Sequence, residues 1–179
     1  MTPAEYIQLK AFARIDGLFV AVLWVMSFAC YIIGLSSSMW AMAAMLLAMS
    51  TPFFVANRLR LFRDGARDGI ISLKRGWAFV VLVFFYGGLL FAIAQYAYFA
   101  FMDKGYLLHS LQQLMESPEA SQMMAQQGMT DMVNEAMAQL QSMRPIDISL
   151  NMLTTNILLG FVLGLPIAAV MRRKLKIEK

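Results

Sequence analysis

The sequence is short of nearly every residue type that carries chemistry. Its single cysteine, Cys30, excludes an internal disulfide, and among Phe28, Ala29 and Tyr31 it reads as a small buried hydrophobe. Its single histidine, His109, has no second histidine or cysteine nearby, so a metal site would have to be built from scattered carboxylates. No Ser-His-Asp set, glycine-rich phosphate loop or carboxylate pair placed for acid–base work is present, so the parts of a hydrolase or kinase are missing and no cofactor is called for. Charge is scarce as well: 15% of residues are charged and 60% are hydrophobic, whereas soluble proteins carry about 25% charged residues. A soluble core is thereby excluded.

What the chain does have is four long apolar runs, Gly17 to Leu35, Met39 to Ala56, Trp77 to Met102 and Leu150 to Met171, all free of Lys, Arg, Asp and Glu. Each can cross a hydrocarbon core that needs about 20 residues. The first is no signal peptide, because its roughly 19 apolar residues exceed the usual 7 to 15 and no small-residue cleavage site follows. The expected fold is an all-α membrane protein of four transmembrane helices, spanning about 17–35, 39–56, 77–102 and 150–171, in one domain. A helical insertion over 103–148 separates spans three and four, and a basic connection over 57–76 joins spans two and three.

Charge placement sets the orientation. Lys10 and Arg14 precede span one; Arg58, Arg60, Arg63, Arg67, Lys74 and Arg75 lie between spans two and three; Arg172, Arg173, Lys174, Lys176 and Lys179 follow span four. The opposite face carries only Lys104 and Arg144, with Asp103, Glu116, Glu119, Asp131, Glu135 and Asp147. By the positive-inside rule the basic face is cytoplasmic, both termini included, and the insertion is extracytoplasmic. The surplus of cations is met by lipid headgroups and calls for no nucleic acid.

The connections differ in character. Ser36, Ser37 and Ser38 make a tight turn, which pairs spans one and two as an antiparallel hairpin. In the basic connection, Leu59, Phe62, Ile70, Ile71 and Leu73 are expected at the bilayer boundary, and Gly65 and Gly69 divide it into two short pieces. Arg58, Arg60, Arg63, Arg67 and Arg75 there are candidates for binding a phosphate group or an acidic partner, although topology alone also requires cations at this place. In the insertion, Leu107, Leu108, Leu111, Leu114 and Met115, then Met129, Met132, Val133, Ala136, Met137, Leu140 and Met143, recur at helical spacing. Ser117-Pro118-Glu119 and Gln127-Gly128 mark breaks, and Thr130-Asp131 can cap the last piece. Two or three short amphipathic helices are expected over the mouth of the bundle.

Polar residues inside the spans are few. Gln95, Thr155 and Asn156 are the candidates for lining a cavity, while the others are expected to tie helices together. No span holds a carboxylate, Lys or Arg, so proton-coupled transport lacks its usual carrier. Gly160 and Gly164 form a small-residue pair that lets another helix approach closely, within the bundle or in a homo-oligomer, and Pro52 and Pro166 predict bends.

The basic connection reads Phe62-Arg63-Asp64-Gly65, then Asp68-Gly69-Ile70-Ile71-Ser72-Leu73-Lys74-Arg75-Gly76-Trp77, and the third span adds Tyr86-Gly87-Gly88 and Gln95-Tyr96-Ala97-Tyr98. With four spans and a long insertion before the last, the chain resembles the family called domain of unknown function 4199, small membrane proteins of Bacteroidota. The family often has Phe where this chain has Leu73. The resemblance implies a bacterial inner-membrane address and a gene that lies beside one for a family 2 glycosyltransferase, but no catalytic residue. Function is therefore expected to be that of a non-catalytic integral membrane scaffold or accessory subunit, supporting a membrane enzyme that acts on lipid-linked intermediates. The alternative is a small carrier or lipid flippase with a polar cavity among the spans. Topology is testable directly: Ser37→Cys and Gln126→Cys should react with an impermeant thiol reagent from outside the cell, and Lys176→Cys should not. Labelling at position 176 alone would reverse the orientation.

Overall fold

Each apolar run makes up one end of a longer helix. The computed structural model describes residues 2–173, in the order α1 (Pro3–Gly34), α2 (Ser38–Ala66), α3 (Leu73–Phe101), α4 (Tyr106–Glu116), α5 (Pro118–Gln126), α6 (Thr130–Ser142) and α7 (Pro145–Met171). Lys174, Lys176 and Lys179 of the basic tail lie outside the described residues. The fold is all-α, and α1, α2, α3 and α7 are long and apolar enough to cross a membrane. Among the described residues, extended pairing is confined to a bridge between Ile71 and Arg173.

α1 begins well before its apolar run. The Thr2 hydroxyl accepts from the Glu5 amide at 3.3 Å, and the Thr2 amide donates to the Glu5 carboxylate at 2.9 Å. Pro3 occupies the first helical position, where an amide proton would have no partner. With its start closed in this way the helix runs through Lys10, Arg14 and Asp16 for 32 residues, about 48 Å at 1.5 Å per residue. That exceeds a hydrocarbon core of about 30 Å, so α1 projects beyond it.

α2 also outruns its apolar stretch, which corrects the expectation of two short pieces across 57–76. Gly65 stays helical, and Leu59 and Phe62 point into the protein at 0% and 2% exposure, where lipid-boundary positions were expected. The chain turns back over residues 67–72. Asp68 and Gly69 adopt φ of 50° and 77° there, and the left-handed pair lets the Gly69 amide reach the Arg63 carbonyl at 3.1 Å.

α3 is the central helix. It packs along both α1 and α7, whereas α2 rests mainly on α1 and meets α7 in few places. Glycines make the close approaches: a Cβ added at Gly17 would stand 2.7 Å from that of Tyr86, and one at Gly160 or Gly164 would stand 2.5 Å from Phe84 Cβ or 2.9 Å from Trp77 Cδ1. The Gly160 and Gly164 face is thus occupied by α3 within the bundle. The hydrophobic core is concentrated at the basic end, where Leu9 and Ala13 of α1, Leu59 and Phe62 of α2, and Ile167 of α7 close around α3. The Phe62 and Phe79 rings stack there at 4.8 Å.

The insertion forms three helices, as its periodicity implies. Ser117 caps α5 through the Ala120 amide at 3.4 Å, with Pro118 first in the helix. Thr130 turns out to be the first residue of α6 and Met129 its cap. These helices bury little: among α4, α5 and α6 only Ser110 is buried, while Leu114, Met123 and Met132 are exposed.

The packing makes a paired prediction. Gly160→Leu should lower the melting temperature in detergent by several degrees or prevent folding, because the new side chain meets the Phe84 ring. Gly65→Ala, with nothing within 4 Å of the added carbon, should raise stability by about 0.4 to 1 kcal/mol. Thermal denaturation of both variants checks this, and a Gly160→Leu protein that melts like the parent would contradict the α3–α7 contact.

Candidate functional site

Polar groups gather in two places, at opposite ends of the bundle. At the basic end the arginines are engaged with the protein itself. Arg58 Nε donates to Asp16 Oδ1 at 2.6 Å, and Asp16 is 2% exposed; the same guanidinium lies 5.0 Å from the Phe19 ring. Arg67 and Arg75 hold the two carboxylate oxygens of Glu5, at 3.0 and 2.6 Å. Arg63, buried, forks onto Asp64 at 2.7 and 3.1 Å and donates from Nη1 to the Met171 carbonyl at 3.0 Å. That carbonyl belongs to the last turn of α7, where a helix has acceptors without partners and a negative dipole end. Arg60 alone of the five has a loose contact, 3.7 Å from Asp64 with its side chain 64% exposed.

The cluster read from the sequence as facing phosphates or a partner is therefore mostly a clasp. Four of its members, Arg58, Arg63, Arg67 and Arg75, tie α1, α2, α3 and α7 together, and only Arg60 faces outward. Asp64 pairs with its neighbours as the sequence suggests. Glu5 and Asp16, which complete the clasp, carry no local signal of that role, since each finds its arginine across a long stretch of chain.

At the other end the helices part around a cavity of about 810 Å³. α1 contributes Trp24, Ser27 and Phe28, α2 contributes Ala44, Ala48 and Thr51, α3 contributes Phe84, Phe91 and Gln95, and α7 contributes Met152, Asn156 and Leu163. Leu107 and Leu111 of α4, Leu140 of α6 and Ile148 complete the lining, so the insertion does cover this mouth. Met45 and Met49 of α2 and Met152 and Leu159 of α7 line the cavity and are exposed. Since α2 and α7 meet in few places, the space lies in the gap between them.

Two of the three cavity residues expected from the sequence meet here. Gln95 is 1% exposed and its Oε1 accepts no hydrogen bond; Asn156 Nδ2, also buried, donates none. Thr155 does not join them, because one residue along a helix turns the side chain about 100°: it is exposed, and its hydroxyl donates to the Asn151 carbonyl at 2.9 Å. Two further polar groups of the lining are satisfied internally. Trp24 Nε1 donates to Thr51 Oγ1 at 3.0 Å and Ser27 Oγ to the Ala44 carbonyl at 2.8 Å, both linking α1 to α2.

A profile of the family described as Protein of unknown function (DUF4199) matches residues 16–173, nearly all of the described chain. The chain belongs to that family. No curated protein and no solved structure matches it.

In this DUF4199 protein, then, the chemistry on offer is recognition. Among the described residues no group of three or more His, Cys, Asp or Glu is placed to hold a metal ion. The cavity presents apolar and aromatic walls with a few polar groups free of partners, Gln95 Oε1, Asn156 Nδ2 and the Tyr31 hydroxyl, a composition typical of binding sites of about 300 to 1,000 Å³. Trp24 escaped the sequence reading, since a tryptophan within a span looks like any other large hydrophobe.

The clasp makes its own prediction. Asp16→Asn leaves the Arg58 guanidinium without its counter-charge, and breaking a buried pair costs about 3 to 5 kcal/mol, so the melting temperature should fall by many degrees. Arg60→Gln should change it little, as exposed pairs contribute about 0 to 1 kcal/mol. Equal melting of the two variants would show that the clasp does not hold the bundle.

Proposed function

We propose that this protein is a non-catalytic membrane binding protein that takes a lipid-like amphiphile sideways from the bilayer into the cavity between α2 and α7 and holds it for transfer. The supporting observation is the cavity itself: 810 Å³, in the gap between α2 and α7, walled by apolar side chains and holding two amides with unmet hydrogen-bonding capacity. A cavity that served packing alone would be left with those polar groups desolvated and unpaired, which is costly. This reading ranks the carrier alternative above a pure scaffold, because most of the basic cluster that a docking scaffold would use is committed to internal ion pairs.

The accessory role fits beside it. A subunit that draws a lipid out of the bilayer and presents it would serve a membrane enzyme acting on lipid-linked intermediates, such as a glycosyltransferase. We place the protein in a bacterial inner membrane, as the resemblance to Bacteroidota proteins implies, with the basic end in the cytoplasm by the positive-inside rule and the insertion and cavity mouth on the other side. Membrane lipids are then its first partners.

The test is to count lipids retained after exhaustive detergent washing, by mass spectrometry of the intact complex. The wild-type protein should keep about one lipid per chain. Ala48→Trp, which fills the cavity from an exposed position on α2, should keep none while melting normally. Equal retention by both would remove the cavity from the function.

A further inference from the structure

The cavity's free hydrogen-bonding groups specify more than an apolar ligand. No Lys, Arg, Asp, Glu or His lines it among the described residues. Trp24 Nε1 and Ser27 Oγ are already engaged, with Thr51 and the Ala44 carbonyl, so the groups left to meet a ligand, beside the neutral Tyr31 hydroxyl, are the two amides of Gln95 and Asn156. They stand on different helices, α3 and α7, that form opposite sides of one hairpin packed through Gly88, where an added Cβ would lie 3.3 Å from Asn156 Cβ. An amide gives an acceptor and a donor and carries no charge. The arginine cluster lies at the far end of the bundle, paired with Asp16, Glu5 and Asp64, and of the two cations at the cavity's end Arg144 is held by Asp147 and neither it nor Lys104 lines the cavity. An ion placed against these walls would lose its hydration with nothing to replace it.

We propose that the cavity selects an uncharged amphiphile whose polar group carries a donor and an acceptor close together, as in a monoacylglycerol or a fatty-acyl amide, and rejects an anionic lipid of the same chain length. The donor of the ligand meets Gln95 Oε1, and Asn156 Nδ2 donates to its acceptor. The acyl chain runs past Met45 and Met49 toward the gap between α2 and α7. This assignment rests on the binding role proposed above and specifies the ligand class for the same site.

The experiment compares 1-oleoylglycerol with 1-oleoyl lysophosphatidate, which share one chain and differ in charge, by native mass spectrometry of the full-length protein released from nanodiscs. The wild-type protein should bind 1-oleoylglycerol at least about tenfold more tightly, the ratio expected of a hydrogen bond or two. The double variant Gln95→Leu with Asn156→Leu should bind 1-oleoylglycerol about tenfold more weakly than the wild type, having lost the hydrogen bonds to its head. Its ligand-free melting temperature should hold or rise, because the substitutions replace buried polar groups that lack partners with apolar ones of similar size. Preference for lysophosphatidate in the wild type, with Ala48→Trp abolishing it, would overturn the neutral-ligand assignment and leave the binding role standing. Binding of both lipids unaffected by Ala48→Trp would overturn the binding role itself. Unchanged affinity of the double variant for 1-oleoylglycerol would show that the two amides do not read the headgroup.

Discussion

A charge at the edge of a hydrocarbon layer must be paired, and the pairing of Asp16 with Arg58 is the constraint from which the bundle takes its shape. Each residue sits beside an apolar run that cannot be shifted far along the membrane normal, so bringing the two together sets the relative height of α1 and α2. Glu5 then joins the start of α1 to Arg67 and Arg75, which flank the turn between α2 and α3. Arg63 adds α7 through the Met171 carbonyl. One end of the molecule is thereby closed by ion pairs over an aromatic core.

The other end has a different construction. Trp24 to Thr51 and Ser27 to Ala44 join α1 to α2, and Gly88 lets α3 approach Asn156 of α7, while Gly160, Gly164 and the Trp77 Nε1 bond to the Phe161 carbonyl at 3.1 Å join α3 to α7 nearer the basic end. Each hairpin is internally tied, yet α2 and α7 have little to hold them to each other away from the clasp. The cavity lies in that gap. Most of the cations are gathered at the closed end and no charged residue lines the cavity, and the ligand chemistry follows from that division.

Much of this was legible in the chain, and the parts that were not have physical reasons. Runs of apolar residues free of charge revealed all four spans, and scarcity drew attention to Gln95 and Asn156, since a primary amide inside a span is expensive enough to need a use. The extensions of α1 and α2 were hidden because Lys10, Arg14 and Asp16, or Arg58 and Gly65, look like flanking loop; their helical state depends on Leu9, Ala13, Leu59 and Phe62 being buried by other elements. The arginine clasp was invisible for a related reason. Its partners lie 42, 62 and 108 residues apart, and a charge pattern that satisfies the positive-inside rule looks the same whether the cations face lipid or carboxylates. Thr155 fails as a cavity residue through a rotation of one residue, a detail that composition cannot resolve.

The account stands on an open, occupied cavity above a closed, charge-paired end. An electron cryomicroscopy density map of the protein in nanodiscs of native lipid tests this most directly. The account expects elongated non-protein density between α2 and α7, with its head within hydrogen-bonding distance of Gln95 and Asn156. A map in which α2 closes against α7 and the two amides bond each other, with no space between the hairpins, would contradict it.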